Sequence, residues 1–215
     1  MGLCNYLIMR KTVFIVCIIL NPCLLFAQTP ALKTPDPTVA VAQPAKPSKS
    51  SLKIIAGTNM LAANDIVTNL SRSKELSTFY RIVEAAGLNE TFNSKGPITV
   101  FVPNDQAFAN LPPGKLDTLL KTEHKYDLIA LITYHVLPGK ITAKEIGRQI
   151  NSNKGQATFI TLTGSKLTAK LNADRNIILI DENGGQSVIS RFDISQNNGL
   201  IDIIASVLVP KFKNL

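Results

Sequence analysis

The chain has 215 residues, of which 45% are hydrophobic and 18% are charged, and it carries a formal net charge of +8. This is the composition of an ordinary globular protein, so it excludes a collagen, a wholly disordered chain and a polytopic membrane protein. The length predicts one domain with appendages, because a typical domain has about 100–150 residues.

The positive charge is spread along the chain rather than gathered in one basic stretch. Residues 1–51 hold five basic groups and one acidic group, and residues 52–215 hold 18 and 14. No run of Lys and Arg is interleaved with aromatic residues, which is the pattern that follows a phosphate backbone. The sequence therefore predicts no nucleic-acid partner.

The first 27 residues have the layout of a signal peptide. Arg10 and Lys11 form a basic start, residues 12–26 are mostly apolar, and Ala27 offers a small residue at the cleavage point. The apolar run is too short to span a bilayer comfortably, so no transmembrane segment is expected in the mature chain. These features predict export, with the product secreted, periplasmic or attached to the cell surface.

All three cysteines lie inside that segment, at positions 4, 17 and 23. A lipid anchor on Cys23 is the weaker alternative to simple cleavage, because Asn21 and Pro22 replace the small residues that such sites prefer. Removal of residues 1–27 leaves a chain without cysteine, which can form neither a disulfide nor a thiolate metal site. Its stability outside the cytoplasm must then come from a full hydrophobic core.

A proline-rich stretch follows over residues 28–51. Its five prolines are separated by Ala, Thr, Lys and Ser, a composition that cannot bury enough apolar surface to offset the entropy of ordering. We expect a disordered linker there, and a single domain over residues 52–215.

The first half of that domain is patterned for short helices. Apolar residues recur at helical spacing over residues 74–86, which end at Gly87, and a similar face runs from residue 60 to residue 70. Asn104 is placed to cap a short helix. Two further helices are expected over residues 113–120 and 125–133, and Thr142 with Glu145 forms a capping box for another.

The second half is patterned for strands. An unbroken apolar run over residues 98–102 indicates a buried strand, and after residue 157 polar and apolar side chains alternate. Turns are expected at residues 164–165 and 183–184, with further strands over residues 177–180 and 200–209. Helices first and a β-meander afterwards predict the α+β class.

Three blocks of sequence, in this order, resemble the motifs of one family, the fasciclin domains. Residues 99–108 (TVFVPNDQAF) resemble the first box, residues 134–139 (YHVLPG) the tyrosine–histidine motif, and residues 198–210 (NGLIDIIASVLVP) the second box. The resemblance covers about residues 55–210. Three ordered motifs over a whole domain are far more specific than one Tyr-His pair.

The resemblance implies a compact module, a β-wedge flanked by short helices, used in cell adhesion and contact with the extracellular matrix. By the same resemblance, adhesion falls on Tyr134, His135, Asp193 and Ile194. The motif residues expected to hold the fold are Phe101, Pro103, Asn104, Asp105, Phe108, Gly199 and Pro210. Asp202 stands where the second box often has His, and no Arg-Gly-Asp is present, so an animal integrin is not the expected partner.

The residues themselves leave structural interpretations open beside these roles. A buried His or Tyr at a helix end more often serves packing than binding, so His135 and Tyr134 are expected mainly in the core. Asp105 is expected to accept backbone amides at a helix start. Asp193 and Ile194 are expected either at a strand edge or at a binding point.

No complete catalytic or metal-binding set can be assembled from the sequence. The stretch around Ser187 matches a nucleophile elbow except at Ile189, where Gly is needed. His124 and Asp127 lie one helical turn apart, but a zinc site needs three or four ligands. The sequence predicts no enzyme, no cofactor and no metal.

The functional hypothesis is therefore a non-enzymatic extracellular module that binds a matrix protein, a polysaccharide or a surface. The alternative is a carrier or sensor holding a small apolar ligand or a polysaccharide in a groove between the wedge and the helices. A hydrolase is the third, from a different class.

Overall fold

The computed structural model describes residues 52–55, 58–94 and 96–211, and the expected signal peptide and linker lie outside them. Its helices are α1 (Ile66–Arg72), α2 (Ser77–Ala86), α3 (Asn89–Ser94), α4 (Asp105–Ala109), α5 (Lys115–Leu119), α6 (Lys125–Tyr134) and α7 (Ala143–Ser152), with a 3-10 turn at Thr122–His124. Its strands are β1 (Leu52–Ile55), β2 (Thr58–Leu61), β3 (Ile98–Pro103), β4 (Val136–Pro138), β5 (Gln156–Ile160), β6 (Lys166–Leu171), β7 (Ile177–Ile180), β8 (Gln186–Gln196) and β9 (Gly199–Ile204). No helix in these ranges is both long enough and apolar enough to cross a membrane.

Seven strands form one sheet in the order β4-β3-β9-β8-β7-β6-β5. Strands β5 to β9 make an antiparallel meander, and β3 joins it as a parallel neighbour of β9. The sheet curls until the Leu162 amide donates to the Val136 carbonyl oxygen at 2.9 Å, so its two ends almost meet. Helices in the first half and a meander in the second confirm the predicted α+β wedge.

Strand β8 is the long element that joins the two halves of the sheet. It pairs with β7 through Gln186–Val188 and with β9 beyond Ile189, and the register is irregular around Arg191. Such irregularities bend a strand and increase its twist. This bend gives the sheet its wedge shape.

Two hydrophobic clusters lie on the two sides of β3. Val100 and Val102 face the cluster formed by helices α1, α2 and α6, whereas Phe101 faces the cluster between α7 and the meander. Successive side chains of a strand point to opposite faces, so a strand buried on both faces must be apolar at every position. This explains the unbroken apolar run.

Helix α2 begins three residues later than its apolar periodicity predicts. The reason is Asp105, whose Oδ1 accepts the Thr78 amide at 2.8 Å while its Oδ2 accepts the Ser77 hydroxyl at 2.7 Å. These bonds satisfy the first turn of α2 and set its start. The helix ends at Gly87, which adopts φ 72°, as the sequence predicts.

Two predicted elements have different bounds in the structure. The face expected over residues 60–70 is divided, because Met60 belongs to β2 and Asp65 caps α1 by accepting the Thr68 amide at 2.7 Å. The strand expected over residues 200–209 ends at Ile204. Beyond it, the Leu208 and Val209 amides bond to side chains rather than to a neighbouring strand, so the chain leaves the sheet.

Candidate functional site

Tyr134 is the last residue of α6, and its side chain is fully buried. Its hydroxyl donates to the Lys166 carbonyl oxygen at 2.8 Å and accepts the Glu182 amide at 3.2 Å. Burial raises the pKa of Tyr134 to about 12, so the phenol keeps its proton and its donor bond at neutral pH. One side chain therefore connects the helix to the first residue of β6 and to the turn before β8.

His135 follows at the end of α6 with 1% of its surface exposed. Its Nδ1 lies 2.8 Å from the Leu131 carbonyl oxygen, and its Nε2 accepts the Leu208 amide at 3.1 Å. A carbonyl oxygen can only accept, so the proton is on Nδ1 and the ring is neutral. Burial lowers the pKa of His135 to about 4, which keeps that state at neutral pH.

Asp181 organises the turn between β7 and β8. Its Oδ1 accepts the Asn183 and Gly185 amides at 2.9 and 2.7 Å, and its Oδ2 accepts the Val209 amide at 3.0 Å. Sequence reasoning missed this residue. The signal was present, because an Asp two residues before an Asn-Gly pair is typical of an Asx-turn.

A groove of about 1150 Å³ lies where these bonds meet the surface. It is bounded by the turn before β6, the turn before β8, Ala130 of α6, and the chain at Pro210 and Lys211. Its lining mixes polar and apolar surface, and its polar side chains include Thr163, Ser165, Lys166, Thr168, Asp181 and Glu182. The hydroxyl of Tyr134 bonds to two of these lining residues, Lys166 and Glu182, from the interior.

Asp193 and Ile194 lie elsewhere, at the bend of β8. Ile194 has 1% of its surface exposed and packs in the cluster beneath the helices. Asp193 is half-buried and adopts φ 53°, a left-handed conformation that Asp tolerates better than most residues. Its Oδ1 accepts the Ala143 amide at the start of α7 at 2.9 Å, and its own amide donates to Asp202 at 2.7 Å.

The other motif residues have visible structural contacts. Phe101 and Phe108 are buried, and Asn104 caps α4 by accepting the Ala107 amide at 2.8 Å. Pro103 ends β3, and Pro210 lines the groove. At Gly199 a Cβ atom would overlap the Ile98 carbonyl oxygen, so the parallel pairing of β3 and β9 requires glycine there.

The side chains considered for catalysis or metal binding form contacts within the protein. The Ser187 hydroxyl is buried in β8 and accepts the Ser206 amide at 2.9 Å. His124 lies 2.9 Å from Asp127 on an exposed helix start. Within the part of the chain that the structure describes, no group of three or more His, Cys, Asp or Glu side chains could hold a metal ion.

Comparison with known proteins identifies relatives across the domain. The family model "Fasciclin domain" matches residues 74–210. Protein sll1483 of Synechocystis is 34% identical over 174 residues, which cover 81% of this chain and 88% of that protein. Human periostin is 28% identical over 173 residues, 74% of this chain and 19% of periostin.

A solved structure shows the same fold. It is a FAS1 domain pair from the insect cell adhesion molecule fasciclin I, with a TM-score of 0.60, 18% identity, and coverage of 68% of this chain and 51% of that chain. The match of a family model over most of the chain, together with a relative of similar length at 34% identity, makes this chain a member of the fasciclin domain family.

Proposed function

We propose that this protein is a non-enzymatic adhesion module, and that its contact surface is the groove between the two hairpin turns and α6. One observation carries the proposal. The hydroxyl of the fully buried Tyr134 forms hydrogen bonds with the backbone of two residues of the groove lining, Lys166 and Glu182. An open groove that exposes both polar and apolar groups on a rigid support suits attachment to a large partner. The family relationship to a cell adhesion molecule supports the same class of function.

The four residues to which the family resemblance assigns adhesion act in this proposal by positioning. Tyr134 fixes the start of β6 and the turn before β8, and His135 holds the segment that ends at Pro210 through the Leu208 amide. Asp193 and Ile194 shape the bend of β8. A partner reaches the exposed lining of the groove and touches none of these four side chains.

The proposed layout of the chain has a signal peptide over residues 1–27, a linker over residues 28–51 and the adhesion domain over residues 52–215. The periodic segments and all three motifs fall in the last range. Such a chain would be exported and held at a distance from the surface that anchors or retains it. A fragment of residues 52–215 should unfold in one cooperative transition, which denaturant titration followed by circular dichroism can measure.

Surface retention tests the proposal. Beads coated with the protein are exposed to cells and to extracted matrix, and retention is compared for the native protein, Tyr134→Phe and Tyr126→Phe. Tyr126 is 85% exposed and outside the groove, so its variant is the matched control. At equal folded fraction, we expect Tyr134→Phe to be retained less than the native protein. We expect Tyr126→Phe to be retained as well as the native protein. Equal retention by all three would contradict the role of the groove.

A carrier of polysaccharide remains the second candidate, and the groove favours it over a carrier of apolar molecules. The apolar cavity lined by Leu111, Leu119, Leu131 and Val207 has a volume of only about 20 Å³. That volume accommodates one water molecule and excludes a lipid chain. A saturable thermal shift with soluble oligosaccharide, without retention of cells, would favour the carrier.

A further inference from the structure

We propose that two copies of this protein join through the free edge of strand β5, which pairs with the same strand of the second copy. This surface is separate from the groove, so the inference goes beyond the proposed function and does not rest on it. It is carried by the unpaired backbone of β5, by its exposed side chains and by its self-complementary sequence.

The backbone of β5 leaves every second residue without a neighbour on one side. At the end of the strand, the Thr161 amide donates to the Ser165 carbonyl oxygen of the β5–β6 hairpin at 3.0 Å. Bonded and non-bonded pairs alternate along an antiparallel ladder, so Phe159 bonds to β6 and the residues on either side of it do not. The amides and carbonyls of Thr158 and Ile160 therefore point away from β6, and no residue that the structure describes bonds to them.

The two edges of the seven-stranded sheet differ in their protection. The β4 edge is three residues long, ends in Pro138, and bonds to Leu162 through the Val136 carbonyl oxygen. A short strand, a proline and a covering segment are devices that keep a sheet edge from pairing with another chain. Strand β5 (QATFI) has no charged residue, no proline and no bulge. Its edge is therefore open to a further strand.

The side chains on the outer face of β5 are exposed at Gln156, Thr158 and Ile160. Ile160 is 52% exposed, and Tyr126 is the only other large hydrophobic residue of the described chain that is exposed. A strand placed beside β5 would cover part of Ile160, and burial of apolar surface favours the contact.

The sequence of β5 is suited to pairing with itself. When two copies run antiparallel about a two-fold axis at Thr158, the two Thr158 residues bond to each other, and Gln156 lies opposite Ile160 of the second copy. Each free group then meets its counterpart, and the symmetric interface closes at two copies. Five paired residues make a small interface, so we expect weak pairing that becomes visible at high concentration.

Charge does not oppose this pairing. The cations beside β5 lie on the next strand, where Lys166 and Lys170 are the cross-strand neighbours of Ile160 and Gln156. In the pair, Lys166 of one copy and Lys170 of the other lie in the same row, three strand spacings apart, which is about 14 Å. This separation exceeds the screening length of about 10 Å at 0.1 M salt, so their repulsion is weak.

Analytical ultracentrifugation of the purified full chain over a concentration series tests the pairing. Thr158→Pro removes an amide hydrogen that points away from β6, and Ile160→Lys places a charge on the edge; edge strands tolerate both changes. Tyr126→Lys is the matched control, because it makes the same kind of change at the other exposed hydrophobic residue. We expect a dimer whose dissociation constant rises at least tenfold in both β5 variants and is unchanged in the control.

Disulfide cross-linking tests the register of the pair. In a full chain whose three cysteines are replaced by Ser, Thr158→Cys places two thiols opposite each other with Cα atoms about 5.5 Å apart, within reach of a disulfide. The control is Thr168→Cys, which lies opposite Thr158 on β6 and would place the Cα atoms about 14 Å apart. We expect air oxidation to give a covalent dimer for Thr158→Cys only.

Three results would overturn the inference. A protein that stays monomeric at every concentration would show that β5 does not pair. A dimer that neither β5 variant weakens would use another surface. Equal cross-linking of the two cysteine variants would reflect random collision. Tyr134→Phe alters the support of the groove and leaves β5 intact, so it should dimerise like the native protein, and the outcome of this test is separate from that of the proposed function.

Discussion

The tyrosine–histidine motif and the groove it supports are neighbours with opposite properties. Every polar atom in the side chains of Tyr134 and His135 is buried and bonded within the fold. In the groove, by contrast, Lys166 and Lys211 are exposed, and Lys166 is connected to Tyr134 only through its backbone carbonyl. A motif that identifies a family can therefore stabilise a surface whose exposed side chains lie on other segments of the chain.

Truncation of Tyr134, in the buried motif, should have the largest effect on the free energy of unfolding. Tyr134→Ala leaves a cavity in the core and two unsatisfied backbone groups, so we expect it to lower the free energy of unfolding by about 3–5 kcal/mol. Tyr134→Phe retains the ring and should cost about 1–2 kcal/mol. Denaturant titration measures both, with Tyr126→Ala as the exposed control. A Tyr134→Ala variant as stable as the native protein would place the ring outside the core.

Acid should reveal the buried state of His135. Its pKa is lowered from 6.5 to about 4 in the folded protein, so the unfolded chain binds the proton more readily between those values. Stability from this group is complete above pH 6.5 and falls as the pH drops toward 4, by roughly 3 kcal/mol in total. When the free energy of unfolding is measured from pH 7 to pH 4, this decrease should be absent in His135→Ala.

His124, the second histidine, provides the control for this dependence of stability on pH. His124 is only partly buried and pairs with Asp127 at the surface, so His124→Ala should retain the dependence on pH. If both variants kept the pH dependence of the native protein, the proton that destabilises the fold would bind at another group. His135 would then not be neutral in the folded protein.

Asp193 should show a smaller, structural effect. Asp193→Ala removes the acceptor for the Ala143 amide and leaves a non-glycine residue in the left-handed region, so we expect a loss of about 1–2 kcal/mol. Asp193→Asn retains an acceptor and tolerates that conformation, and it should stay within about 0.5 kcal/mol of the native protein. Thermal or denaturant unfolding of the pair distinguishes a helix cap from a simple surface charge.

The groove lysines should have the smallest effect on stability. Lys166, Lys170 and Lys211 make no ion pair with the described residues, so their replacement by Gln should change the free energy of unfolding by less than about 0.5 kcal/mol. The same variant is expected to reduce surface retention, because Lys166 and Lys211 belong to the groove lining. A strongly destabilised lysine variant would show that these side chains stabilise the fold. The distinction between a stabilising Tyr134 and exposed groove lysines would then be wrong.

Local signals in the sequence were sufficient for much of the architecture. The apolar run of β3, the Asn104 cap and the alternation of β6 follow from the spacing of neighbouring residues, and the structure confirms them. The burial of Tyr134 was also expected, since an aromatic residue at the end of an apolar helix packs inward. These features depend on contacts within a few residues.

Features that depend on distant partners were not predictable in the same way. Asp105 was expected at a helix start, but the helix it caps is α2, 27 residues earlier. The exit of the chain after Ile204 depends on bonds from Leu208 to His135 and from Val209 to Asp181. The groove itself is assembled from four separate segments, so no periodicity or motif in one segment could indicate it.

Amide hydrogen exchange would test most directly whether the buried motif holds the groove. In Tyr134→Phe, the Glu182 amide loses its acceptor, and its exchange should accelerate about tenfold relative to Val102 in the central strand β3. In His135→Ala, the Leu208 amide should accelerate in the same way while Glu182 does not. Uniform acceleration throughout the domain, or unchanged exchange at both amides, would contradict the account.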